Sequence, residues 1–329
     1  MAPSGEQRFA LRQFDLPALS GVLRVCEVDM VLLGGGQPRA VLGSMFHDGA
    51  VLCAGEYGFP FRGRFTLPPD WCMLVCIHRT QPGSWCHGDD LTEGTVLTIM
   101  PDGGCDFMLT EDSCWSGVVM PVSRLRRKFS EMTAFAMDIP MHRLAQFTTT
   151  GYASGERLRE RFERLRRHFI DGASNVDIED IDGLVSDHLA AAITGPRESR
   201  SEASRARRSH YKVLRGAEEY MLANLRNDIH NQAVCNAAGT SERTLRYAFQ
   251  NLLGISPNRY LSMLRLCAAC RNLRGTDSRR RTVKSVALSC GLWDLSRFAD
   301  NYRRLFGELP NETLTRREAA AIPRRASGR

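Results

Sequence analysis

The sequence predicts an α+β protein in which a β-rich N-terminal region gives way to helices and then to an all-α C-terminal domain. Three observations predict it: turn signals crowd the first 120 residues and then stop, the charge balance changes sign near residue 193, and the segment 231–307 repeats one helical spacing twice.

The β-rich region is read from its punctuation. Gly34-Gly35-Gly36-Gln37-Pro38, Phe59-Pro60, Pro68-Pro69-Asp70, Gln81-Pro82-Gly83 and Pro101-Asp102-Gly103-Gly104 separate short apolar runs at 28–33, 71–78, 95–100 and 107–110. Many short strands at close turn spacing indicate a sandwich or barrel, here of a cupin-like kind. From Ser123 the texture changes, and 152–171 and 178–193 are long, turn-poor and charged on one side, as amphipathic helices are. Gly195-Pro196 opens a Ser/Arg/Glu-rich stretch reaching Arg208, a linker by composition. Helical patterning resumes at His210. The expected domains are therefore 1–125 (β-rich), 126–193 (helical, connecting or dimerising), 194–208 (linker), 209–320 (all-α) and 321–329 (tail).

Composition bounds the function. At 329 residues two domains are expected, and 43% hydrophobic with 25% charged residues fits a globular chain. No apolar run approaches the roughly 18–20 residues of a membrane span, and the N-terminus lacks a signal-peptide pattern, so a cytoplasmic protein is expected. Residues 1–193 hold 18 Lys and Arg against 25 Asp and Glu, whereas 194–329 hold 26 against 12. A basic domain joined to an acidic one suits a DNA-binding module with a separate sensing module; a solvated basic tail is the plainer alternative. Eleven cysteines, an odd number, are read as reduced and mostly buried thiols.

The repeat gives the basic half its mechanics. Val234 precedes Gly239 by five positions, and Ser241 stands as a helix N-cap before Leu245 and Phe249. Val286 likewise precedes Gly291, and Asp294 stands as the cap before Phe298 and Tyr302. A short helix ends at a glycine able to take the left-handed conformation, and a capped second helix packs its apolar stripe back on the first. The opposite face is then free to enter a major groove. That face carries Glu242, Arg243, Arg246, Tyr247 and Gln250 on the first helix and Ser296, Arg297, Asp300 and Arg303 on the second. Arg forks onto guanine and Gln onto adenine, and Asp300 can accept from a cytosine amino group but would repel a phosphate. Two ordinary surface helices are the alternative reading.

These residues resemble the AraC/XylS family of transcription regulators. The matching text includes Ala217 and Tyr220, Gly239-Thr-Ser-Glu-Arg-Thr-Leu245 with Phe249, and Gly254-Ile-Ser-Pro-Asn-Arg-Tyr-Leu261 with Arg265-Leu266 and Leu273. It continues with Thr282-Val283, Gly291, Ser296-Arg-Phe298, Tyr302 and Phe306-Gly307. The resemblance covers about 100 residues. It implies two helix-turn-helix subdomains joined by a long helix at 257–274, both recognition helices reaching successive major grooves of double-stranded DNA. Asp300 departs from the Arg of many members, Cys270 from a frequent Arg, and Leu292 from the usual Phe. Ser209-His-Tyr-Lys212, the run 292–306 and Thr313-Leu314 are further similar to the ethanolamine-operon regulator subgroup, with Arg62-Gly-Arg-Phe65 and 101–107 matching more loosely. That likeness implies a small amine or similar metabolite as effector.

Other sites are weighed and set aside. Cys72 and Cys76 lie four residues apart on an expected strand, about 13 Å, too far to share one zinc. Cys267 and Cys270 share a helical face, where core packing is expected. Cys86-His87-Gly88-Asp89-Asp90 is read as a polar loop, so no metal site and no cofactor are expected. Catalytic motifs are missing: there is no Gly-x-Ser-x-Gly, His-Glu-x-x-His or phosphate loop, and the chain is not expected to be an enzyme. The barrel is left as an effector pocket with Phe59, Phe61, Trp71, Trp85 and Phe107 as candidate lining. Leu158, Phe162, Leu165 and Phe169 form one helical stripe, suited either to self-association or to packing on the barrel. The expected function is sequence-specific DNA binding by an effector-controlled homodimeric activator that contacts RNA polymerase. A constitutive architectural protein and a metal-dependent barrel enzyme fused to a DNA-binding domain are the rivals.

Overall fold

Twelve strands, β1 (Gln7–Leu11), β2 (Asp29–Leu32), β3 (Ala40–His47), β4 (Ala50–Tyr57), β5 (Phe61–Phe65), β6 (Trp71–Arg79), β7 (Trp85–Cys86), β8 (Asp89–Asp90), β9 (Thr95–Ile99), β10 (Cys105–Leu109), β11 (Ser113–Pro121) and β12 (Gln146–Thr148), make two sheets among the described residues. The computed structural model describes residues 6–11, 19–34, 39–101, 104–132, 145–173, 180–195, 202–275 and 282–321. The turn expected at 35–38, the 102–103 part of the next glycine turn, residues 196–201 of the expected linker and the tail at 322–329 lie outside them.

The larger sheet runs β1-β3-β4-β11-β6-β9-β12 and the smaller β2-β5-β10-β7-β8. Strand β3 turns into β4 over two residues, Asp48 and Gly49, both with positive φ (46° and 71°). Asp-Gly is the pair such a turn favours, because the mirror-image turn matches strand twist. Side-chain alternation then sorts β6: Cys72, Leu74 and Cys76 face a helical layer, and Met73, Val75 and Ile77 face a cavity.

The helical layer is α1 (Val122–Met132), α2 (Ala153–Arg166), whose last residues continue as a wider π turn at Arg167–Asp171, and α3 (Ile181–Thr194). Leu158, Phe162, Leu165 and Phe169 are buried together with Leu52, Leu74, Val118 and Leu184. The stripe is therefore spent on its own sheet, which removes the self-association reading for these four side chains. Phe169 lies so close to β3 that a Cβ at Gly43 would meet its ring carbons at 2.5 Å. His188 on α3 is fully buried and its Nε2 lies 2.8 Å from Thr98 Oγ1. Burial pushes its pKa down to about 3, so the imidazole is neutral in the fold.

The compact units divide between Arg208 and Ser209. Helix α4 (Glu202–Ala223), however, starts inside the stretch read as a linker. Its Ala, Glu and Arg are good helix formers, so a polar composition does not by itself mark a linker. Arg208 is held by Asp89 (Nε to Oδ1 2.8 Å), and Arg207 pairs with Asp90. The second unit continues with α5 (Asn231–Ala237), α6 (Glu242–Leu253), α7 (Pro257–Arg274), α8 (Val283–Ser289), α9 (Leu295–Phe306) and α10 (Pro310–Ala321). Among the described residues no helix is long and apolar enough to cross a membrane.

Candidate nucleic-acid interface and effector cavity

Each of two helix pairs, α5–α6 and α8–α9, is built from the same local signals. Gly239 (φ 61°) and Gly291 (φ 72°) make the left-handed turns. Ser241 accepts a hydrogen bond from the Thr244 amide, and Asp294 accepts one from the Arg297 amide at 3.0 Å, each satisfying an otherwise open amide of the helix start. Leu245, Phe249, Phe298 and Tyr302 are buried, which orients the opposite faces outward.

All nine residues expected on those faces are exposed: Glu242, Arg243, Arg246, Tyr247 and Gln250 on α6, and Ser296, Arg297, Asp300 and Arg303 on α9. Arg246 is held by Glu242 one turn earlier (2.8 Å), an exposed pair worth little in stability but able to aim the guanidinium. Trp293, absent from the expected set, is 65% exposed immediately before the α9 cap. The cue available for it was its place beside a cap, which is weak without knowing which way the turn points.

Helix α7 joins the two halves. Ser256 caps it and Pro257 occupies its first turn. Tyr260, Leu264, Cys267, Cys270 and Leu273 are buried along it, so the two helical cysteines are packing residues. Tyr260 donates its hydroxyl to the buried Glu218 carboxylate of α4, and its ring meets Phe249 edge-on at 5.5 Å. Arg265 donates to the carbonyls of Leu225 (3.1 Å) and Asn227 (2.7 Å), fixing the segment after α4. A Cβ at Gly291 would lie 2.5 Å from that same Leu225 oxygen. One backbone carbonyl thus couples α4, α7 and the second turn.

The first unit encloses an apolar cavity of about 60 Å³ between its sheets. Phe61 and Phe107 line it with Tyr57, Phe65 and Trp115, and the rings of Phe61 and Phe107 lie 5.7 Å apart, edge to face. The other three expected lining residues are placed elsewhere. Phe59 packs behind Phe61 at 5.9 Å, Trp71 sits half-buried at the start of β6, and buried Trp85 carries the Arg62 guanidinium 4.9 Å above its ring. Aromatic type was the basis of that set, whereas the pleat decides which face a ring takes. A larger open groove of about 850 Å³ is lined by charged groups including Arg159, Glu163 and Arg166, together with His78, whose pKa burial pushes down to about 4 so that its imidazole is neutral. Glu163 is held there by Arg166 (2.8 Å), Arg167 (3.2 Å) and His78 (3.4 Å), and the Arg166 hydrogen bonds keep its carboxyl below the usual range.

A helix-turn-helix domain model matches residues 234–316, the span that holds both turns. The chain is 31% identical over 295 residues to a XylDLEGF operon transcriptional activator of Pseudomonas putida, covering 85% of this chain and 86% of that one. The chain belongs to the AraC/XylS family of transcription regulators. This regulator is also 32% identical over 102 residues, 31% of each chain, to the probable thc operon regulatory protein of Rhodococcus erythropolis. A solved structure of a probable AraC family transcriptional regulator from Rhodopseudomonas palustris is 38% identical, covers 32% of this chain and 96% of that chain, and superposes with a TM-score of 0.30.

Proposed function

We propose that this regulator is an effector-controlled transcriptional activator that works in the cytoplasm as a homodimer, binding double-stranded DNA and contacting RNA polymerase. The observation that carries the reading is the pair of helices capped at the same position after a glycine turn, each presenting an exposed polar face. Glu242, Arg243, Arg246, Tyr247 and Gln250 read one major groove; Ser296, Arg297, Asp300 and Arg303 meet the next.

The apolar cavity is the effector site in this reading. Its lining favours an uncharged, aromatic or aliphatic molecule over the amine that the ethanolamine-operon likeness implies, because an ammonium there would be desolvated without a partner. Binding then shifts the population competent for DNA, a coupling typically worth about 1–3 kcal/mol.

Footprinting of the full chain on genomic DNA tests the reading, with and without apolar metabolites. Protection over about two helical turns per subunit supports it. Diffuse protection lost uniformly with salt would reduce the binding to phosphate electrostatics. Arg246→Ala sharpens the test: a loss of about 1–3 kcal/mol confined to the preferred site is expected of a base contact. Ligand at 100 times its Kd should raise stability by about 2.7 kcal/mol, and a flat response across the metabolites would remove the effector claim.

A further inference from the structure

The β7–β8 hairpin brings together three side chains that the DNA-binding reading does not use. Cys86 ends β7, His87 and Gly88 form the turn, and Cys105 opens β10. The register pairs Cys86 with Phe107, which places Cys105 diagonally across from Cys86, and the His87 amide donates to the Asp106 carbonyl at 2.8 Å, extending the ladder into the turn. Cys86 and Cys105 are buried and their Sγ atoms lie 3.8 Å apart. The His87 backbone is left-handed (φ 51°), and its ring hydrogen-bonds to the Cys86 sulfur. One donor atom from each of the three residues lies within 4.8 Å of the others.

We propose that Cys86, His87 and Cys105 form a binding site for a thiophilic closed-shell metal ion, with Zn²⁺ as its simplest occupant. Two thiolates bound at about 2.3 Å in tetrahedral geometry stand about 3.8 Å apart, the spacing seen here, whereas a disulfide requires about 2.0 Å. A Cys₂His set suits a soft or borderline ion and not Mg²⁺ or Ca²⁺, which take oxygen ligands. In the bound state two thiolates balance the dication and the imidazole is neutral, the protons that the three groups carried having left to solvent, so no net charge is buried. Asp106 is already engaged by Arg64 (2.6 Å) and Arg62 (3.3 Å). The exposed His87 gives the ion its way in from solvent.

The site lies where occupancy has consequences. Cys105 also lines the apolar cavity, and the residues after the turn, Asp89 and Asp90, hold Arg208 and Arg207. A bound ion stiffens a hairpin that serves both.

The test uses the full-length chain, reduced and stripped with a chelator, titrated with Co²⁺ and then Zn²⁺. We expect one ion per chain, about two protons released per ion, and a near-ultraviolet thiolate-to-cobalt band that Zn²⁺ abolishes. Cys86→Ser and Cys105→Ser should each weaken binding by more than about 100-fold, and His87→Ala by about tenfold. His87 is exposed in a turn, so its variant keeps the fold; Cys26→Ser, outside the cluster, should bind as the parent does. No thiolate-to-cobalt band, or a band surviving both cysteine variants, overturns the proposal. Equal binding by His87→Ala and the parent overturns the assignment of the third ligand.

Discussion

At the first helix turn Gly239 faces open space, and only its backbone angle demands glycine; at the second, Gly291 must also leave room for the Leu225 carbonyl. The outward faces differ as well. The α6 face holds an aimed Arg246 beside Tyr247 and Gln250, while α9 offers Arg297 and Arg303 with Asp300 between them. Each face carries two arginines and one acid, but on α6 the acid is paired with Arg246, whereas on α9 Asp300 stands between the two arginines. Steric constraint at the turn is thus distributed unequally between two copies of one plan.

The glycines give the largest expected contrast. Gly239→Ala should cost about 1–2 kcal/mol, the left-handed penalty, whereas Gly291→Ala adds overpacking and should cost about 3–5 kcal/mol in urea unfolding. Equal costs would break the comparison. Next come the buried hydroxyls. Tyr260→Phe removes a hydrogen bond to the buried Glu218 carboxylate and should cost about 1.5–3 kcal/mol; Tyr302→Phe removes one to neutral Thr313 and should cost about 1 kcal/mol. A reversed order by thermal unfolding would mean that Glu218 is well served without Tyr260.

The caps accept from the equivalent amide, Ser241 through a hydroxyl and Asp294 through a carboxylate, and Ser241→Ala and Asp294→Ala are each expected to lose about 1 kcal/mol. A neutral result at one would show that its helix start is held by packing instead. The smallest effect concerns DNA. For charges about 8 Å apart in water the repulsion is about 0.5 kcal/mol, so Asp300→Asn should tighten binding roughly twofold at low salt. Weaker binding in a titration with the preferred site would instead make Asp300 a base contact.

Much of this architecture was legible because its causes are local. Gly239, Ser241, Gly291 and Asp294 act on amides within four residues, so spacing alone located both turns. The stripe Leu158, Phe162, Leu165, Phe169 announced its helix but not its partner, which is a sheet whose β4 strand lies over 100 residues earlier in the chain. What was misread depends on long-range placement. The start of α4 looks like linker until Asp89 and Asp90 are brought beside Arg208 and Arg207. Cys86 and His87 look like a loop until β10 delivers Cys105 nineteen residues on. The lining of the cavity likewise follows strand register, which no residue's own chemistry reveals.

Trp293 turns one of these features into an optical instrument. The sequence has four tryptophans, and Trp71, Trp85 and Trp115 all belong to the first unit, with Trp85 and Trp115 buried. Past Arg208 the only indole is Trp293, open to water at the start of α9. Its emission should sit at the red edge of the spectrum and yield readily to acrylamide. Binding of DNA at α9, as proposed, would therefore be reported by its own intrinsic dye, distinct in emission from the buried Trp85 and Trp115.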